Sequence, residues 1–283
     1  MLTNLKSIAF IVGETQHQTS SGLVNRAAAL AQLHGAHLIG IYRASSSGPS
    51  DGSYVRGTAA MHDVASRIAR HREEQALIIS RHIAELSRKH GISAEFRIIW
   101  SDHVEQSIVA HSLHCDLVVM GHPLPSGWPA SWLPENILAA SGIPVLIIPE
   151  SSHHDYIGER VMLAWNGSRE ARRGITDAMP FIANAESVIV LIVDADRHPR
   201  QHGSEPGSDI ATYLARHNTD VVVDRIASDG SPVADAILDH AIASDVDLLV
   251  IGAYSHARMI QRLVGGVTET LLHEVPVPLL LSM

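Results

Sequence analysis

"DLLVIGAYSHARMIQRLVGGVTETLLHEVPVPLLL" runs from Asp247 to Leu281. It opens on an apolar, strand-like run and passes through a polar loop. A Gly265-Gly266 pair, a helix-periodic stretch and a second apolar run follow. Parallel strands need such a crossover between them, so this order points to a parallel sheet. The same unit occurs earlier in the chain. "DLVVMG" (Asp116 to Gly121) returns as "DLLVIG" (Asp247 to Gly252), and "IPVLIIP" (Ile143 to Pro149) returns as "VPLLLS" (Val277 to Ser282). A third pair, "KSIAFIVGE" (Lys6 to Glu14) and "ERVMLAWNG" (Glu159 to Gly167), keeps the same sequence order. Repetition of this kind predicts two copies of one domain. Their expected bounds are 1–150 and 157–283, joined near "SSHHDYIG" (Ser151 to Gly158).

Short β-branched runs alternate with helix-periodic segments in each copy, which predicts an α/β fold with two tandem five-stranded parallel sheets. The first copy offers "SIAFIV", "HLIGIY", "SAEFRII", "LVVMG" and "PVLII". The second offers "RVMLAW", "SVIVLIV", "TDVVVDRI", "DLLVIGA" and "VPLLLSM", with helices expected near 169–184, 207–217, 232–243 and 266–274. Ser231 is the expected N-cap of the third of these, with Pro232 at its first position. A long helical segment from Ala59 to His90 loses its apolar stripe around Arg70 to Glu74. Its expected core positions are Met61, Val64, Ile68, Leu77, Ile79, Ile83 and Leu86, with a projection or bend at the break.

Composition narrows the function classes. Across 283 residues, 46% are apolar and 18% charged, enough for a packed core and unlike a disordered chain. The net charge of −9 comes with no basic cluster, which argues against nucleic acid as a partner. A lone cysteine, Cys115, excludes an internal disulfide framework and a Cys-rich zinc site. No apolar run approaches the length of a membrane span, so no membrane partner is expected and a cytoplasmic location is the default. Nineteen histidines raise the question of a metal. The closest sets, such as His111 and His114, lack the further ligands a site needs, so none is expected.

Open parallel sheets take ligands at the carboxyl ends of their strands, where strand order reverses. At those positions the chain resembles the universal stress protein family in its tandem form. The resemblance rests on "VMLAWNGSREARRGITDAMPFI" (Val161 to Ile182) and on the Asp247–Leu281 stretch. It implies a Rossmann-like fold of the adenine nucleotide alpha hydrolase kind, ATP as the ligand class, and pairing through the last strand. Family members that bind ATP carry Gly-x2-Gly-x9-Gly-(Ser/Thr) after the fourth strand and an Asp ending the first. Here Gly252 and Gly265 match; Ser255 and Gly266 stand where Gly and Ser/Thr are expected, and Asn166 stands for the Asp. The spacing is intact.

The candidate nucleotide contacts that follow are Trp165, Asn166, Gly167 and Ser168 after the first strand and Asp194 after the second. Gly252, Ala253, Ser255, His256 and Arg258 follow the fourth, and Gly265, Gly266, Val267 and Thr268 open the next helix. Glycines there would let backbone N–H groups approach phosphate oxygens, with the helix start completing an anion nest. His256, Arg258 and Arg262 would add positive charge. Read alone, the Gly-Gly pair is equally a turn that begins a helix. In the first copy the loop "HPLPSGWPASWLPEN" has no such pair, and three prolines remove backbone donors. Gly13 there stands opposite Asn166, and Ser131 and Trp132 stand where Gly265 and Gly266 do. Trp128 and Trp132 are expected to pack rather than to hold a base.

Neither first-strand loop, "VGETQHQTS" or "WNGSREARR", carries a transferase or ligase motif, and no nucleophile–base pair or Walker lysine is present. The leading expectation is a stress-response regulatory or binding module, not an enzyme, whose second copy takes adenine nucleotide. The alternative is a nucleotide-free interaction scaffold with a vestigial pocket; an ATP-hydrolysing regulator lacks a general base. The last strands of the two copies, rich in Val, Leu and Ile, are expected to pair with each other. Association of two chains into a homodimer, through the long helix, is left open.

Overall fold

The computed structural model describes residues 4–13, 17–44, 58–100, 104–124, 128, 130–152, 156–197, 205–217, 219–253 and 266–283. Its first half holds β1 (Ser7–Gly13), α1 (His17–His34), β2 (His37–Ala44), α2 (Thr58–His90), β3 (Ala94–Trp100), α3 (Val104–Ser112), β4 (Leu117–His122), α4 (Pro134–Ser141) and β5 (Val145–Pro149). The second holds β6 (Arg160–Ala164), α5 (Arg169–Ile182), β7 (Ser187–Val193), α6 (Ser208–Ala215), β8 (Val221–Ile226), α7 (Val233–Ala243), β9 (Leu248–Gly252), α8 (Gly266–His273) and β10 (Leu279–Ser282).

All ten strands belong to one sheet in the order β3-β2-β1-β4-β5-β10-β9-β6-β7-β8. Each half is parallel and doubly wound, and the second repeats the first in mirror order across the seam. At the seam β10 runs antiparallel to β5, with Leu279 opposite Ile147, Leu280 opposite Leu146 and Leu281 opposite Val145. Each half alone would leave its last strand at an edge; in the chain both lie at the centre and are buried along their length. The edges are β3 and β8, which carry Glu95 and Arg97, and Asp224 and Arg225. Charges along an open edge discourage strand addition by another chain.

The strands read as continuous apolar runs because both faces are covered. Phe10, Leu38, Leu163 and Val190 pack on one face beneath α1, α2, α5 and α6. Ile11, Ile41, Met162 and Leu249 pack on the other beneath α3, α4, α7 and α8. Each fully buried aliphatic side chain of this kind contributes about 1.5–3 kcal/mol. Two cross-half contacts stand out on the α1 side. The His34 ring meets Phe181 edge-on at 5.7 Å between centroids. Arg26 donates through Nη2 to the carbonyl of Ser152, in the segment joining the halves.

Two local expectations need correction. α7 begins at Val233, with Pro232 in the cap position (φ −56°, ψ 137°), so the cap is not Ser231. Proline's fixed φ suits an extended cap as well as a first helical turn. In α2, Leu77 is 53% exposed, and the core stripe is Ala76, Ile79, Ile83 and Leu86. The i, i+3, i+7 spacing from Ala76 selects that face, and Leu77 stands one residue round the helix from it.

Both halves share a device at the foot of the first strand. Asp116 Oδ2 accepts from the backbone N–H groups of Lys6 and Ser7 at 2.7 and 2.9 Å. Asp247 accepts from Gly158 through Oδ1 at 2.7 Å, and from Glu159 and Arg160 through Oδ2 at 3.0 and 2.9 Å. A carboxylate just before the fourth strand of each half thus satisfies backbone donors where the first strand begins.

Candidate functional site

Strand order reverses between β6 and β9, where Val161, Met162 and Leu163 pair with Leu248, Leu249 and Val250. The carboxyl ends of these strands, with that of β7, frame the second half's ligand crevice.

After β6 the chain turns sharply. Trp165, packed against the core, donates its backbone N–H to the Leu191 carbonyl at 2.8 Å. Asn166 Oδ1 accepts from the N–H of Ser168 at 3.1 Å, and Gly167 between them has φ +73°. That side-chain turn presents Ser168 as N-cap of α5, its Oγ accepting from Ala171 N–H at 3.1 Å. Asn and Asp serve this turn equally, so the Asn166 substitution changes the charge at the crevice and not the local fold.

Gly252 ends β9 beneath α5. A Cβ there would stand 2.2 Å from the carbonyl carbon of Glu170 and 2.3 Å from Ala171 N. Gly174, one turn further along α5, faces the same backbone, with a Cβ position 3.4 Å from Gly252 N. Helix and strand therefore meet through two glycines, and packing alone requires the glycine at 252. Glu170 is itself buried. Burial alone would raise its pKa, but hydrogen bonds from Arg169 and from its own backbone outweigh that and hold the carboxyl below the usual range. Ala253 is fully buried and donates its N–H to Ser282 at 2.7 Å, tying the end of β9 to β10.

Gly266 is different. It is exposed at the first position of α8, and a Cβ there would meet nothing within 4 Å. Val267 packs on the core, Thr268 is buried, and α8 is held by Leu271. Packing against the described residues thus gives no reason for a glycine at 266.

Asp194 sits at the end of β7 with φ +52°. Its carboxylate accepts from the Ser228 N–H at 2.9 Å and the Ser228 hydroxyl at 2.7 Å, and pairs with Arg197 at 3.1 Å. It joins the ends of β7 and β8. Ser255, His256, Arg258 and Gly265, the other sequence candidates, lie outside the described residues.

Trp165 to Ser168, Asp194, Gly252 and Ala253 thus come together at neighbouring strand ends. Sequence reasoning missed the partners Glu170, Gly174 and Ser228. The Asp116/Asp247 device was visible as the repeated Asp of "DLVVMG" and "DLLVIG", but its hydrogen bonds were not. Among the described residues, cavities lie between α1 and α2, where Asn25, Leu33 and His90 line one of about 790 Å³, and along the seam. One of about 710 Å³ is lined in part by His122, Glu150, Asp235, Asp239 and Glu274. Strand topology, not cavity size, points to the switch point as the candidate site. No group of three or more His, Cys, Asp or Glu able to hold a metal occurs among the described residues. No helix among them is long and apolar enough to cross a membrane.

The fold and crevice define a tandem α/β protein with two Rossmann-like units in one sheet. Residues 159–282 match the model of the universal stress protein family. The crystal structure of a universal stress protein from Archaeoglobus fulgidus DSM 4304 shares the fold over 97% of both chains, at TM-score 0.65 and 16% identity. A functionally unknown protein from Pseudomonas aeruginosa PAO1 does so over 99% of this chain and 93% of its own, at TM-score 0.61 and 17% identity. At such identities the likeness concerns the fold, which extends through the first half. A universal stress protein in complex with cAMP aligns over 52% of this chain at 18% identity and TM-score 0.29, which carries no argument about a ligand here. No curated protein matches the chain.

Proposed function

We propose that the chain is a stress-response regulatory module of the cytoplasm whose second half binds one adenine nucleotide, ATP among them, without turning it over. The observation that carries this reading is Gly266: an exposed glycine opens α8, and the described side chains around it give no reason for it. A glycine there leaves backbone N–H groups accessible to phosphate oxygens at the positive end of a helix. Trp165 and the Asn166 turn lie across the switch point, where a base or ribose would rest. Binding without turnover is part of the proposal, and the described groups at these strand ends, the Asn166 turn, the Ser168 cap and the Asp194 carboxylate held by Ser228 and Arg197, support it as turn and packing groups.

The two halves act as one body, each supplying the other's missing neighbour through β5 and β10; the ladder from Leu279 to Leu281 supports this. A second chain would find its apolar footing on Leu33, Leu77 and Ile78, all more than half exposed on α1 and α2.

A nucleotide-free scaffold is the second reading, and a specific observation favours it. Asp194, the Asn166 side-chain oxygen and Gly252 are all committed to intramolecular roles. Acid extraction of the purified full chain, followed by chromatography for adenine nucleotides, separates the two. Recovered nucleotide at a fixed molar ratio supports the first reading; clean extracts together with no uptake of added nucleotide support the second.

A further inference from the structure

In the first half the corresponding crevice lies at the carboxyl end of β1, beside β4. β1 ends at Gly13, which pairs in register with Arg43 of β2. The indole of Trp128 lies against Gly13: Nε1, Cζ2 and Cε2 are 3.1, 3.2 and 3.4 Å from where a Cβ would stand. Trp132 supports that indole at 78° and 5.6 Å between centroids, and is itself fully buried. The Arg43 guanidinium stands 5.9 Å from the Trp132 ring. Both tryptophans come from the segment after β4, the segment that in the second half carries Gly265 and Gly266.

We propose that Trp128 is a built-in occupant of the first half's ligand crevice. It is a planar aromatic ring, supplied by the chain, that seals a site a planar heteroaromatic molecule would otherwise enter. The absence of a side chain at Gly13 is what admits the ring. A flat ring laid against the side-chain-free end of a strand and braced edge-on by a second aromatic, which itself lies beside a guanidinium, has the surroundings of a bound heterocycle. The first half therefore contributes architecture and no ligand site. This inference does not depend on whether the second half binds nucleotide.

The test uses the full chain and indole as probe. Trp128→Ala should bind indole saturably and gain thermal stability from it, while the wild-type chain does neither. Gly13→Val provides an independent measurement that needs no emptied cavity. Its side chain should push the ring outward, so tryptophan emission shifts to the red and acrylamide quenching rises, and both changes should vanish when Trp128→Phe is combined with it. Trp128→Ala that is as stable as wild type and indifferent to indole would overturn the proposal. So would a Gly13→Val chain whose emission matches wild type. Should Trp128→Ala fail to fold, the Gly13→Val comparison decides alone.

Discussion

A Cβ at position 252 would stand 2.2 Å from the carbonyl carbon of Glu170, so the end of β9 and the start of α5 touch backbone to backbone. Gly252→Ala must therefore move the helix or bend the strand. We expect a loss of about 3 kcal/mol, at the upper end for an overpacked core, read from the shift in urea midpoint. Gly266→Ala should leave stability within about 0.5 kcal/mol, as for an exposed position without neighbours. Its effect should fall on nucleotide affinity instead. The pair separates a glycine needed for folding from one kept for a ligand; equal stability losses in both would refute the distinction.

Asp247 is buried and accepts three backbone N–H groups, whereas Asp116 accepts two at a more exposed site. Removing the carboxylate strands its donors, and hydrogen bonds to a charge are the expensive ones to lose. Asp247→Ala should cost about 3 kcal/mol or more and Asp116→Ala about half that, measured by chemical denaturation. A reversed order would mean that the two halves do not share this device.

His34 is 2% exposed, and neither ring nitrogen has a hydrogen-bond partner among the described residues. Burial holds its pKa below the ordinary value of 6.5. Between the folded and unfolded pKa values the unfolded chain binds a proton that the folded chain refuses, so stability rises with pH there. The contribution is complete above about pH 6.5 and is lost as pH falls below it. Urea midpoints measured from pH 8 down to pH 5 should decline, and His34→Phe should flatten part of that slope. An unchanged slope in the variant would show that His34 opens to water before it is protonated.

Asp194 holds Ser228 and Arg197 at the ends of β7 and β8 from a left-handed backbone position. Asp194→Ala loses these bonds and strains the backbone, and should cost about 2 kcal/mol. Asp194→Asn keeps an oxygen for the Ser228 N–H and tolerates the conformation, so it should cost less than half as much. Thermal denaturation of the two variants checks the ranking; equal losses would place the weight on charge alone.

Much of the fold was legible because repetition and β-branched runs report burial directly. The paired "DLVVMG" and "DLLVIG" runs located β4 and β9, and the apolar "IPVLIIP" and "VPLLLS" runs located β5 and β10. Their continuous apolar character is what a strand covered on both faces requires. The site was less legible. Glycine at 252 reads in sequence as room for a phosphate, while its neighbours show room for a helix, because one missing Cβ serves either purpose. Asp194 likewise reads as a free carboxylate until Ser228, 34 residues away, is folded against it. Leu77 and Ile79 are equally apolar, and only the helix phase set by α1 decides which of them is covered.

The proposed function rests on one nucleotide site per chain, in the second half. Titration calorimetry of ATP into the nucleotide-free full chain tests it most directly. Binding should saturate at one nucleotide per chain with Kd below about 1 mM, and Gly266→Val should weaken it without loss of stability. No heat of binding up to millimolar ATP would contradict it, and so would a stoichiometry of two.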